Sequence, residues 1–169
     1  MRPEGKFSTI TAKGGAGSKR PATAIASRSP IQVITIESTR MLAQSGFLAR
    51  IFDVFGRLGV SVDVVATAEV SVSLTVEANA PIEAIKKELG AFAHVSVASD
   101  RALVALVGER LKHTPGLASR VFGAIASINV EMISMGSNEI NLSLVVERKD
   151  EASAVRLLHK ALFGNGATK

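Results

Sequence analysis

The sequence predicts an α+β fold: two tandem ferredoxin-like βαββαβ units that exchange edge strands. Three observations predict it. The chain repeats itself with a period of about seventy residues, so that setting Gly46 on Gly116 brings Arg50 onto Arg120, Ile51 onto Val121 and Phe52 onto Phe122. Each copy then reads strand, helix, strand pair, helix, the order of the split βαβ arrangement. Each copy also places a glycine at the mouth of an amphipathic helix, in STRMLAQSGFLARIF (38–52) and in HTPGLASRVF (113–122).

The leading strands are IQVITIE (31–37) and ALVALVGE (102–109). Both are rich in β-branched residues and apolar on both faces, as central strands are. In GFLARIFDVFGRLG the residues Phe47, Leu48, Ile51, Phe52, Phe55 and Leu58 are expected on one buried face, and Gly59 ends the helix. In GLASRVFGAIASI the matching face is Leu117, Val121, Phe122, Ile125 and Ile128. The strand pairs follow: SVDVVATAEVSVSLTVE (61–77) aligns with VEMISMGSNEINLSLVVE (130–147), Glu69 on Glu139 and Glu77 on Glu147. Val70, Val72, Leu74 and Val76 alternate with Ser71, Ser73, Thr75 and Glu77, a period-2 pattern with one dry and one wet face, repeated by Ile140, Leu142, Leu144 and Val146. Met132 and Met135 are expected as adaptable core filler. The closing helices are PIEAIKKELGAF (81–92), with proline at its start, and EASAVRLLHKALF (151–163). TAIAS (23–27) and HVSVAS (94–99) are the candidates for completing the sheets. The expected divisions are a basic lead-in over 1–21, a first unit over 22–100 and a second over 101–169.

Composition excludes several classes of chemistry. With no cysteine there is no disulfide framework, thiol nucleophile or cysteine zinc site. His94, His113 and His159 share no metal-ligand spacing. No apolar run reaches the roughly 20 residues that span a bilayer, so no membrane partner is expected. The net charge of +5 is concentrated at the start: residues 1–30 hold six basic residues and one acid, residues 31–169 hold 14 of each. That lead-in, rich in Ser, Thr, Lys and Arg, has the composition of a transit peptide and equally of the frayed end of a preceding domain. Its KGGAGSKR (13–20) does not have the spacing of a phosphate loop. No serine sits in a nucleophile elbow and no paired carboxylates suggest acid–base work, so the chain shows no catalytic constellation. RNA-recognition modules of this fold stack bases on strand aromatics. Here there is no Trp or Tyr, none of the seven Phe lies in a predicted strand, and no nucleic-acid partner is expected.

The glycine at each helix mouth has a physical use. A helix start offers backbone N–H groups without intrahelical partners and the positive end of the macrodipole, which together suit a carboxylate. Glycine lets a ligand approach that backbone. Asp63 and Glu69 follow in the next strand and hairpin and could take an ammonium group. Gly46, Phe47 and Leu48 with Asp63 and Glu69 would thus hold a zwitterion. On the plain alternative, Gly46 is a turn residue, Asp63 a surface charge and Glu69 a hairpin charge.

The segment MLAQSGFLARIFDVFGRLGVSVDVVATAEVSVSLTVE resembles the first ACT domain of lysine-sensitive, monofunctional aspartate kinases, through STRML (38–42), GFLA (46–49), SVDVV (61–65) and the run TAEVSVSL (67–74). RALVALVGERLKHTPGLASRVFGAIASINVEMISMGSNEINLSLVV is similar to that family's second ACT domain, and the resemblance covers roughly residues 22–164. It implies two ACT domains that bind an end-product amino acid and regulate a kinase phosphorylating the side-chain carboxylate of aspartate with ATP, the first step toward lysine, threonine and methionine. The implied effector is lysine, held at a homodimer interface between first ACT units by Met41, Ser45, Gly46, Phe47, Leu48, Ser61, Val62, Asp63, Thr67 and Glu69. Asp63 and Glu69 would face its amines. Ala68 stands where the family usually has serine, and Gln44 and Ser45 lie in its variable loop. The family's kinase domain has no counterpart in these 169 residues. PEGKFSTITAK (3–13) resembles its end, so a truncated or split product is expected, with no cofactor of its own and ATP bound only by a kinase domain. The expected partners are the effector, a second copy and a full-length kinase subunit, in the cytoplasm or, for a plant or alga, the plastid stroma. The alternative is a non-sensing dimerisation scaffold for such a subunit. Within the second unit, His113 and Glu139 read either as a second effector site or as loop charges.

Overall fold

The computed structural model describes residues 22–42 and 45–164, leaving aside the side chains of Arg40 and Leu42. The basic lead-in over 1–21 and Gln44 lie outside the described residues. The chain forms β1 (Ala22–Glu37), α1 (Phe47–Arg57), β2 (Val65–Thr67), β3 (Ser71–Glu77), α2 (Ile82–Leu89), β4 (His94–Gly108), α3 (Leu117–Ala124), β5 (Met132–Met135), β6 (Asn141–Glu147) and α4 (Glu151–Phe163). No helix among the described residues is long and apolar enough to cross a membrane.

All six strands join one antiparallel sheet in the order β2-β3-β1-β4-β6-β5. Two of them serve both units. The second half of β1, residues 31–37, pairs with β3 on one side and with residues 94–98 of β4 on the other. This gives the first unit its complete βαββαβ set. The first half of β1, residues 22–28, pairs with residues 103–108 of β4, whose other side carries β6. The predicted exchange of edge strands therefore runs one way. The first unit closes its own sheet with HVSVAS, and the second is completed by TAIAS from the start of the chain. Both long strands break regularity where they change units. β1 shifts register between Arg28 and Ile31, around a proline that has no N–H to give the ladder. β4 passes through Asp100 at φ 60, a conformation that aspartate tolerates better than most residues.

Each unit has its own core between helices and sheet. Ile34, Ile36, Val72, Leu74 and Val76 meet Phe47, Ile51, Val54 and Phe55 of α1 and Ile85 and Leu89 of α2. In the second unit Val104, Leu106, Leu142, Leu144 and Val146 meet Leu117 and Val121 of α3 and Ala154, Leu158 and Leu162 of α4. A third cluster lies on the faces turned away from the helices. Ile31, Val33 and Val64 of the first unit pack with Met132 and Val145 of the second. The edge strands β2 and β5, at opposite ends of the sheet order, touch each other. The sheet thus curls until its two halves face one another, with the helices outside.

That inner layer corrects the wet-face expectation. Thr75, Ser143 and Val145, which alternation assigns to solvent, are buried. Hydroxyls are tolerated there because they find partners: the Val64 N–H donates to Thr75 Oγ1 at 3.0 Å, and Thr35 and Ser73 share a hydrogen bond of 2.9 Å. Val70 and Ile140, assigned to the dry face, are exposed and lie just before β3 and β6 begin. The α1 stripe also differs. Val54 is buried, whereas Leu48 and Phe52 are each 40% exposed, because the core covers the 47/51/55 line and leaves the flank about 100° away uncovered. Met132 is core, but Met135 is exposed.

Two expectations follow from this architecture. Ile31→Ala, in the layer between the units, should cost about 2–5 kcal/mol. Urea denaturation should still show a single transition, since β1 and β4 run through both units; two separated transitions would contradict the shared-strand architecture. The second concerns pH. Ser29 Oγ donates to Glu151 Oε2 at 2.6 Å, and the Ser27 and Ser29 hydroxyls hold the Glu151 carboxyl below the usual carboxylate range. A lowered value means stability that is fully present above the unfolded value and lost as pH falls through the folded one. Melting temperatures from about pH 3 to pH 6 should therefore fall less steeply with acid in Glu151→Gln than in the native chain.

Candidate functional site

β1 delivers the chain to the mouth of α1. Its last residue, Glu37, lies opposite Ser71, and the Ser38 N–H donates to Val70 O at 2.9 Å. A 3-10 turn over Thr39–Leu42 follows, and Met41 rests half-buried against the first unit's core. Gly46 caps α1 at φ 82, in the left-handed region that favours glycine. A Cβ there would meet nothing within 4 Å, so backbone conformation rather than crowding asks for glycine. The first helical hydrogen bond runs from Arg50 N–H to Gly46 O at 3.0 Å, and no side chain among the described residues caps the helix. The amides of residues 47–49 thus have no intrahelical acceptor, and the positive end of the helix dipole opens beside exposed Ser45 and Leu48. Phe47 anchors this first turn: its buried ring meets Phe92 edge-on at 5.7 Å, and the Arg50 guanidinium lies 3.9 Å over the Phe92 ring.

The hairpin after β2 belongs to the same end of the unit. Thr67 pairs with Val72, and Ala68 N–H donates to Ser71 O at 2.8 Å. Exposed Glu69 sits at this turn and has no ion-pair partner among the described residues.

Ser61, Val62 and Asp63 lie at the other end of α1. Gly59, at φ 64, turns the chain out of the helix. Ser61 lines an open cleft of ≈ 360 Å³ with Gly59, Val60, Glu77, Asn79 and Pro81. Val62 is half-buried on the core. Asp63 N–H donates to Thr75 O at 3.2 Å, and its carboxylate is ion-paired with Arg28, whose Nη1 also lies 3.5 Å from Glu77. Within one chain the ten implied site residues therefore fall into two groups. Met41, Ser45, Gly46, Phe47, Leu48, Thr67 and Glu69 stand at the mouth of α1, and Ser61, Val62 and Asp63 at its far end. The 11 residues of α1 separate them by about 16 Å.

The second unit repeats the mouth with its charges arranged differently. Gly116 caps α3 at φ 77, and Leu117 N–H donates to Thr114 O at 3.2 Å. Glu139, the counterpart of Glu69, has His113 Nε2 at 3.1 Å and Lys112 Nζ at 4.0 Å from its Oε1. The acid of this mouth is met by two side chains of its own unit. His94 is exposed at the start of β4, and His159 lies 5.0 Å from the Phe163 ring on α4.

Arg28, Arg50 and Phe92 were missed as neighbours of these residues. Arg28 is counted in sequence with the lead-in, yet it is a strand residue facing two acids. A signal existed: residues 58–85 contain four acids and no base, so a cation had to come from elsewhere in the chain.

Residues 34–87 and 104–162 match the ACT domain family. Aspartokinase 1, chloroplastic, from Arabidopsis thaliana is 36% identical over 169 residues, covering 94% of this chain but 30% of its own length. The chain thus spans about a third or less of the curated relatives it matches. The structure of E. coli aspartokinase III in complex with lysine and aspartate, in its T-state, superposes with a TM-score of 0.77 at 35% identity, over 87% of this chain and 34% of that one. A C-terminal regulatory domain of aspartate kinase from Porphyromonas gingivalis superposes with a TM-score of 0.74 at 31% identity, over 83% of this chain and 96% of that domain. With both ACT repeats matched in sequence and the whole regulatory domain matched in structure, the chain belongs to the ACT domain family, as a C-terminal regulatory region of the aspartate kinase type.

Proposed function

We propose that this region senses an amino acid on behalf of an aspartate kinase, that lysine is the effector, and that the site is completed by two copies of the chain. The observation that carries this is the helix mouth at Gly46, where no side chain among the described residues caps the helix or pairs with Glu69, while in the second unit Lys112 and His113 stand against the equivalent acid, Glu139. A carboxylate suits the amides of residues 47–49, and an ammonium suits Glu69 and Asp63. Asp63 is too far along the same chain to join that mouth. A two-fold pair with α1 helices antiparallel would bring residues 61–63 of one copy to the mouth of the other. Leu48 and Phe52, one turn apart and exposed on α1, give such an interface an apolar centre. E. coli aspartokinase III was solved with lysine bound, which supports lysine as the ligand here.

Lysine would act by binding one state of the kinase better than another, a coupling of about 1–3 kcal/mol. The phosphorylation of aspartate by ATP would belong to a kinase domain, and the regulatory region would use no cofactor. The compartment would be the cytoplasm, or the plastid stroma in a plant or alga, as for the chloroplastic Arabidopsis relative. The ion pair between Arg28 and Asp63 favours a second function, a dimerising scaffold that holds a full-length kinase subunit and binds no effector, because it occupies one of the proposed ammonium partners.

Titration calorimetry separates the two. Lysine should bind, threonine and methionine should bind at least tenfold more weakly, and Asp63→Ala should abolish lysine binding; no heat with any of the three would leave the scaffold. The interface has its own check. Phe52→Asp should convert a dimer to monomer in analytical ultracentrifugation while leaving the melting temperature within a few degrees, since Phe52 is not core.

A further inference from the structure

Building on the sensor function proposed above, we infer that Arg28 is an internal stand-in for the effector's ammonium group, and that the effector binds by exchanging with it on Asp63. Arg28 lies on the first half of β1, opposite Leu103 in the second unit's sheet. Its guanidinium reaches across to the first unit, where it pairs with Asp63 and stands 3.5 Å from Glu77. A carboxylate held this way makes the charge-assisted contact that an ammonium would make. The two cations compete for one acid.

The geometry permits the exchange. The side chains of Arg28 and Asp63 are 43% and 34% exposed, so a solute can reach the carboxylate and the arginine can swing clear. Glu77 offers the displaced guanidinium a second acid, so its departure strands no charge. Asp63 is paired before and after. Two consequences follow. A ligand lacking a cation cannot displace Arg28, which makes the pair a filter for amines. And because Arg28 is fixed in the second unit's sheet while Asp63 belongs to the first, occupancy of the site removes a tie between the units.

Lysine titrations of the native chain, Arg28→Gln, Arg28→Lys and Asp63→Ala at two salt concentrations test this. Arg28→Gln should bind lysine about two- to fivefold tighter, the range that an ion pair this exposed can cost a competitor. Its affinity should also fall more steeply with salt, because binding then creates an ion pair instead of exchanging one. Arg28→Lys, which keeps a competing cation, should stay close to native affinity and native salt slope. Native-like or weaker binding by Arg28→Gln, with Asp63→Ala still abolishing it, would overturn the exchange and leave the sensor standing. No lysine binding by the native chain would remove both. If Arg28→Gln does not fold, nitrogen NMR of the arginine guanidinium groups in the native chain decides: the Arg28 signal should move on saturation with lysine, and an unmoved signal overturns the exchange.

Discussion

The second unit ends its own sequence on α4 with one strand missing, and the rest of the molecule is arranged around that lack. An uncovered edge at β4 would present a row of unpaired backbone groups. Residues 22–28 cover it, so the strand that leads into the first unit must first cross the second. β1 and β4 therefore run through both units, and the second unit's set of strands is incomplete without the strand that leads into the first. The curl that follows brings the open faces together on Ile31, Val33, Val64, Met132 and Val145. Polar contacts gather where the strands change units. Arg148 Nη1 reaches Asp100 Oδ1 at 3.1 Å beside the left-handed turn, and Arg101 Nε donates to Glu131 Oε2 at 2.7 Å. That last bond, outweighing partial burial, raises the Arg101 guanidinium above its ordinary value.

Much of this was written locally and could be read locally. The span of α4, Glu151–Phe163, is the one that its periodicity predicts, because an acid opens it and Gly164 follows it. The repeat placed Gly46 and Gly116 at equivalent helix mouths, and both adopt the left-handed conformation. What periodicity could not say is what covers each face. Thr75 and Ser143 look wet in sequence, but small hydroxyls fit a layer where the two halves of the sheet meet, provided they find partners. Leu48 and Phe52 look like core, but helical spacing does not tell the flank covered by the chain from the flank left bare.

The sequence names candidate site residues but not where each of them stands. A linear set running from Met41 to Glu69 hides the fact that α1 lies lengthwise between its two halves. Strand register reveals it: Thr67 and Glu69 return to the level of Glu37, while Asp63 hangs level with Thr75. Arg28 was hidden for a related reason. Its partners lie 35 and 49 positions away, and nothing in TAIASRSP marks its one charge as facing a different unit from its strand.

The duplication itself shows how the two helix mouths differ. With Gly46 set on Gly116, the positions of Lys112 and His113 fall on Leu42 and Ala43. In the second unit Lys112 and His113 both lie within 4.0 Å of Glu139 Oε1. The first unit's sequence has two apolar residues at the matching positions, and exposed Glu69 has no ion-pair partner among the described residues. A free amino acid carries a carboxylate that would suit the amides and an ammonium that would suit the acid, as the proposed function requires. The second mouth could accept the first group but has already satisfied the need for the other. Two helix starts with the same left-handed glycine cap thus differ in the side chains around them; either attracts an anion, and on the proposed function it is the acid beside the first that asks for a zwitterion.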